Sequence, residues 1–144
     1  MRQLGLTQRV STYAGGYNPQ MVEKAGKGAE GLIVTSLAPN EKQNPNVGPY
    51  LERWKKAENR VPIGLPYTQY LFDAAYLVAA LYEYVEKNKL PATGENMRKA
   101  LLAVKTFELP MTGKLVVNDD HTVRKPVNLL TVQNGQFVPL ATVD

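Results

Sequence analysis

The stretch Gly28–Lys56, GAEGLIVTSLAPNEKQNPNVGPYLERWKK, decides how this chain folds. It opens on a short apolar run, Leu32-Ile33-Val34. A continuous run of that length fits a strand covered on both faces, as in a parallel sheet. It closes on Tyr50, Leu51 and Trp54, which with Ala57 recur at helical spacing. Between them Leu37–Val47 is polar and rich in proline and asparagine, a loop by composition. Such a bridge is either the surface loop of one compact domain or a hinge between two lobes.

Upstream, Arg9–Tyr13 is a short β-prone run that Ala14-Gly15-Gly16 breaks. Asn18-Pro19 then opens a helix, because asparagine caps free N–H groups and proline costs nothing in a first turn. Met21, Val22 and Ala25 give that helix an apolar side, and Gly26 and Gly28 end it. Strand, helix and strand in about 30 residues make a βαβ unit, which leaves its sheet edges open.

Downstream, Tyr67–Lys89 carries the strongest helical pattern, with Leu71, Ala74, Ala75, Val78, Leu81, Tyr82 and Val85 on one broad apolar face. Lys87 and Lys89 suit the negative end of its dipole. Thr93 starts a further helix with Met97, Ala100, Leu101 and Val104 facing inward. The tail is β: Gly113–Val117 and Val127–Val132 read as strands, with a turn at Asn118-Asp119-Asp120-His121. Asn134-Gly135 signals a hairpin into Gln136–Leu140, since both central turn positions need positive φ.

The bulk numbers fit a folded domain: 144 residues, 44% hydrophobic and 21% charged. The net charge of +4 is dispersed rather than gathered beside stacking aromatics, which argues against a nucleic-acid partner. With no cysteine, disulfides and thiolate metal sites are excluded. No segment approaches the roughly 18 apolar residues of a membrane helix, and the first residues show no signal-peptide pattern.

Local signals for catalysis are missing. The one histidine, His121, follows two aspartates in a turn, and no further ligands stand at metal-binding spacing. Ser11 and Ser36 lack a nucleophile elbow. The glycines of AGGY and KAGKGAEG lack the ending of a phosphate loop. Asp119-Asp120 and the pair Glu83 and Glu86 do not sit in the contrasting environments that separate an acid from a base. The expectation is a protein that is not an enzyme and needs no cofactor or metal. Among eight tyrosines, Tyr13, Tyr17, Tyr67 and Tyr70 stand at element ends, where a ring and a hydroxyl can meet a ligand.

Taken in order, GAEGLIVTS, PYLERWKKA, FDAAYLVAALYEY and TGENMRKALLAVKTFELPMTGKLVVNDDHTVRKPVNLLTVQNGQFV resemble the C-terminal part of type I periplasmic solute-binding proteins. The resemblance is to the branched-chain amino-acid (leucine/isoleucine/valine) binding group that serves ABC importers. It covers about Leu4 to Val138.

The resemblance implies an α/β chain with a partial type I periplasmic-binding-protein fold: a βαβ piece of the second lobe, helices of the first lobe and a C-terminal β-hairpin. Residues 1–37 would end the second lobe, 38–46 would cross the hinge, 47–112 would form the helical part of the first lobe, and 113–144 would return across the hinge. Roughly 200 further residues would complete such a two-lobed protein. The function implied is delivery of an amino acid or a small organic acid, aromatic acids included, to the membrane subunits of an ABC importer outside the cytoplasm. A ligand-sensing domain of a receptor or transcriptional regulator is the alternative on the same fold. The ligand would sit in loops at the carboxyl ends of strands, here Tyr13, Ala14, Gly15 and Tyr17, with Tyr67 and Tyr70 from the long helix. The group tends to hold the substrate ammonium with an acidic residue in this loop. YAGGYN has none, which favours a ligand with a planar or apolar body. Surplus apolar surface is expected, covered by the missing N-terminal part or by a second copy in a dimer.

Overall fold

The computed structural model describes residues 5, 7–62 and 64–143. The elements are β1 (Ser11–Thr12), α1 (Pro19–Ala25), β2 (Ile33–Ser36), α2 (Val47–Glu58), α3 (Leu65–Lys87), α4 (Gly94–Val104), β3 (Thr106–Leu109), β4 (Gly113–Val117), β5 (Val123–Arg124), β6 (Val127–Gln133) and β7 (Gln136–Val143). They form a four-stranded sheet in the order β1-β2-β6-β7 and a three-stranded sheet in the order β3-β4-β5.

The expected βαβ unit is present. Asn18 accepts the Gln20 N–H at 2.9 Å, Pro19 opens α1, and Gly26 ends it at φ +52°. β1 and β2 then run parallel with Thr12 opposite Val34. The sheet around them is mixed rather than parallel. β6 pairs antiparallel with β2, Val34 opposite Leu130, and covers the edge that a lone βαβ unit would leave open. β6 turns into β7 at Asn134-Gly135, both at positive φ, as the hairpin sequence requires. β7 runs on to Val143, three residues beyond the expected end. One core cluster gathers Tyr17, Val34, Leu65 and Leu130; a second joins α1 to the sheet through Val22, Ala29 and Val132.

The second sheet contains a strand that the sequence reading does not anticipate. Thr106–Leu109 pairs antiparallel with β4 and buries Phe107 and Leu109 by alternation. Those side chains and Val117 pack under α3 and α4 through Leu77, Ala80, Leu81 and Leu101. The segment 113–144 is therefore divided: β4 and β5 join β3, while β6 and β7 join the βαβ unit. Thr93 caps α4 by accepting the Asn96 N–H, as its position predicts. Ala100 is buried there, but Val104, expected inside, is exposed.

The long helix turns a different face inward from the one its apolar pattern suggests. Gln69, Asp73 and Val85 are buried, whereas Leu71, Ala74, Ala75, Val78 and Tyr82 are exposed. The cause is polar. Asp73 accepts the backbone N–H groups of Met111 at 2.8 Å and Thr112 at 2.7 Å, and the Thr112 hydroxyl as well. These donors lie in the β3–β4 turn and have no ladder partner; burying them unpaired would cost about 1–3 kcal/mol each. The carboxylate fixes the rotation of α3 about its own axis. A third cluster then forms where Tyr50 meets Phe72 edge-on, with ring centroids 5.3 Å apart, over Val47 and Met111.

The polar bridge of the opening stretch runs between the two sheets and is tied to both. Gln43 Nε2 donates to Asn128 Oδ1 on β6 at 3.1 Å, and Asn44 Nδ2 donates to the carbonyls of Pro110 and Met111 at 2.9 Å each. Asn128 also accepts the Thr142 hydroxyl at 3.0 Å and donates to the Leu37 carbonyl at 3.4 Å.

Replacing Asp73 with asparagine leaves one of the two turn N–H groups facing an amide NH2. Asp73→Asn is expected to lower the unfolding free energy by about 2–3 kcal/mol, as read from urea denaturation. An unchanged midpoint would remove this carboxylate from its place in the fold.

Candidate functional site

Ligands of open α/β sheets meet the carboxyl ends of the strands, where loops diverge and backbone groups lose their ladder partners. Here β1 and β2 are the parallel pair; the turn leaving β1 is short and uncharged, while the segment leaving β2 runs to Asn46 and carries Glu41 and Lys42 beyond its first four residues. After β1 come Tyr13, Ala14, Gly15, Gly16 and Tyr17; after β2 come Leu37, Ala38, Pro39 and Asn40.

The first of these segments is a tight 3-10 turn, Ala14–Gly16, with the Gly16 N–H bonded to the Tyr13 carbonyl at 2.8 Å. Its glycines are required by close approach rather than by φ. A Cβ on Gly16 would come within 2.2 Å of the Thr12 Cγ2 methyl, and one on Gly15 within 2.9 Å of the Tyr13 ring. The turn therefore folds the Tyr13 ring over its own backbone, with 71% of the residue left exposed.

The second segment is held by Tyr70. Its hydroxyl accepts the Leu37 N–H at 3.2 Å and lies 3.4 Å from Ser36 Oγ, which itself accepts the Ala38 N–H at 3.0 Å. Tyr67 sits one turn earlier on α3 with its ring edge-on to Tyr70, centroids 5.9 Å apart, and is half exposed. The start of α3 is thus docked on the carboxyl end of β2, and the Tyr13 turn leaves the parallel strand β1 at the same end of the sheet. Tyr13, Ala14, Gly15, Tyr67 and Tyr70 belong to one end of one sheet. Ser36 joins them, although the sequence offers it only as a nucleophile. The signal for its place is register: the last residue of the second parallel strand stands where the ladder ends.

Tyr17 goes elsewhere. Only 5% of it is exposed, and its ring packs edge-on to Phe137 at 4.9 Å, beside Val34, Leu65 and Leu130. It borders a separate cleft of about 300 Å³ with Glu41, Val47, Leu51 and Gln136. Burial, with the Glu41 carboxylate adding to it, pushes the Tyr17 phenol up to about 12. Gln69, next to Tyr70, is fully buried. Its Nε2 reaches the Pro39 carbonyl at 3.4 Å and its Oε1 has no protein donor.

Gly16→Ala forces Thr12 aside and is expected to cost about 1–3 kcal/mol of stability in chemical denaturation, whereas Gly15→Ala displaces an exposed ring and leaves the midpoint nearly unchanged. Tyr70→Phe removes the acceptor for Leu37 and should cost about 1 kcal/mol, with faster amide exchange at Leu37. For Tyr17, the folded-state value lies above the ordinary 10.0, so folding favours the neutral phenol. That contribution is intact below pH 10 and is lost as pH rises towards 12. Stability across this window should fall less steeply in Tyr17→Phe; equal slopes would contradict the assigned burial effect.

The chain matches the family model described as periplasmic binding protein over residues 1–136. No curated protein sequence matches it. In fold it is similar to a leucine-binding protein from Thermotoga maritima, at 23% identity and a TM-score of 0.72, over 99% of this chain and 39% of that one. A branched-chain amino-acid ABC transporter protein from Thermus thermophilus with bound valine is 21% identical, with a TM-score of 0.72 over 97% and 40% of the two chains. A fatty acid ABC transporter substrate-binding protein from Thermomonospora curvata is 17% identical, with a TM-score of 0.76 over 96% and 37%. The chain thus spans about two-fifths of the length of these structures. With residues 1–136 of 144 matched, and with an α/β arrangement that reproduces the corresponding part of such structures, the chain belongs to the periplasmic binding protein family.

Proposed function

We propose that this chain supplies ligand-contacting elements of a solute-binding protein that delivers a small organic acid to the membrane subunits of an ABC importer, outside the cytoplasm. Its role is binding rather than catalysis. The observation that carries this reading is the composition of the strand ends. Tyr13–Asn18 contains no carboxylate, and the first in the segment after β2, Glu41, follows Asn40 and lines the separate cleft beside Tyr17. A substrate ammonium brought there would lose its hydration without a charged partner, and desolvating an unpaired charge costs several kcal/mol.

The groups that are present suit a different body. The exposed Tyr13 ring and the Tyr67 ring offer flat apolar faces, and the half-buried Tyr70 hydroxyl offers a polar contact next to Tyr67. An aromatic or aliphatic carboxylic acid places its body on such rings. Relatives named for leucine and for fatty acids support both amino-acid and organic-acid cargo on this fold. The missing carboxylate favours the second. On this reading residues 1–37 with β6 and β7 belong to one lobe, 38–46 cross the hinge, and α2–α4 with β3–β5 belong to the other.

The test is a titration of the chain with benzoate, octanoate, valine and leucine, monitored through amide chemical shifts. The expected result is movement confined to Tyr13–Gly16, Ser36–Leu37 and Tyr67–Tyr70 with the organic acids, and a response at least tenfold weaker with the amino acids. Stronger binding of valine or leucine, or shifts centred elsewhere, would overturn the assignment.

A further inference from the structure

Ser36, Asn128 and Thr142 stand opposite one another across β2, β6 and β7. Residues directly opposite in a ladder point to the same face of the sheet. On that face the next row inward holds Val34 and Leu130, both fully buried. Ser36 and Asn128 are buried too, at 2% and 8% exposed, so a polar row closes an apolar core. Polar groups are kept in such a place only when they are bonded, and these are.

Asn128 is the centre of the row. Its Oδ1 accepts Gln43 Nε2 at 3.1 Å and the Thr142 hydroxyl at 3.0 Å, and its Nδ2 donates to the Leu37 carbonyl at 3.4 Å. Among the described residues two stretches lead between the four-stranded sheet and the helical half: 37–46 after β2, and Lys125-Pro126 before β6. Asn128 lies two residues past the second stretch and bonds to Leu37 and Gln43 of the first, so one amide ties both. Leu37 passes the tie on, because its N–H donates to the Tyr70 hydroxyl at 3.2 Å. With that lone pair occupied, the hydroxyl keeps its own O–H to give, either to Ser36 Oγ at 3.4 Å or to an incoming carboxylate.

We infer that Asn128 is a positioning residue for the strand-end site: by holding the Leu37 carbonyl it fixes the Leu37 N–H against Tyr70, so that the two connecting stretches and the aim of the Tyr70 hydroxyl change together. The inference rests on the function proposed above in taking Tyr70 as a group that meets the ligand. Asn128 bonds to neither Tyr67 nor Tyr70; it acts through Leu37. One neutral hydrogen bond shifts a local opening equilibrium by about two- to tenfold. Loosening the row therefore alters the site in steps and leaves the cores on either side folded.

Hydrogen exchange reads this coupling with no ligand present. The Leu37 amide is the reporter, and the Val132 amide, bonded to the Leu32 carbonyl at 3.1 Å at the far end of the sheet, is the reference for general opening. Asn128→Ala is expected to speed exchange at Leu37 about tenfold more than at Val132. Thr142→Val removes a single bond to Asn128 and keeps the shape of an exposed side chain; it should speed Leu37 about threefold. In a Tyr70→Phe background, where the Leu37 N–H has already lost its acceptor, Asn128→Ala should add less than about threefold. Benzoate affinity, followed through the amide shifts of Tyr67–Tyr70, should drop about tenfold in Asn128→Ala and about threefold in Thr142→Val. Exchange at Leu37 that rises only in step with Val132 would overturn the inference. So would effects of Asn128→Ala and Tyr70→Phe that multiply in full, or benzoate affinity that neither Asn128→Ala nor Thr142→Val changes. An unmodified chain that ignores benzoate would remove the proposed function alone, and the exchange rates would still uphold or overturn the coupling.

Discussion

One buried carboxylate sets the arrangement of the helical half. Asp73 satisfies the turn between β3 and β4, and a charged acceptor held by two backbone donors and a hydroxyl tolerates little rotation. Once that contact is made, the inward residues of α3 are those one or two turns from Asp73: Gln69, Leu77, Ala80 and Leu81. The packing along that line is then set, including β3 with Phe107 and Leu109 and the start of α4. Leu71, Ala74, Ala75 and Val78 are on the outside for the same reason. Hydrophobic burial is non-directional and would accept either face of this helix. The hydrogen bonds would not.

The two sheets are joined in a comparable way. The bridge after β2 contains little apolar material, so its path is set by side-chain amides. Asn128 bonds to the exit of β2, to the bridge and to β7, and Asn44 ties the other end of the bridge to the β3–β4 turn. A connection made of exposed or half-exposed amide bonds can open at a cost of about 1 kcal/mol each without disturbing either core.

The candidate site is a consequence of strand direction. Because β1 and β2 are parallel, the loops leaving them emerge at the same end of the sheet, and the docking of Tyr70 on Leu37 brings the start of α3 to that end. Tyr17 shows how narrow the difference between a site and a core residue is. One tight turn beyond Tyr13, its ring points back over the sheet against Phe137. Its spacing from Tyr13 alone could not separate the two environments.

The sequence by itself determined the local elements. Asn18-Pro19, Thr93 and Asn134-Gly135 placed two helix starts and a hairpin, because caps and positive-φ turns need particular side chains within a few residues. The ordered segments from GAEGLIVTS to NGQF carried the family likeness, and the uncharged loop after β1 was visible as such. Tertiary structure alone decided the antiparallel insertion of β6 beside β2, the strand at Thr106–Leu109, the buried face of α3, and the burial of Tyr17 in the core while Tyr13 and Tyr67 stay exposed. These depend on partners far along the chain: Leu130 for Val34, Leu77 and Leu81 for Phe107, Met111 for Asp73, Phe137 for Tyr17. No local pattern records which of two apolar faces, or which of two nearby rings, will meet them.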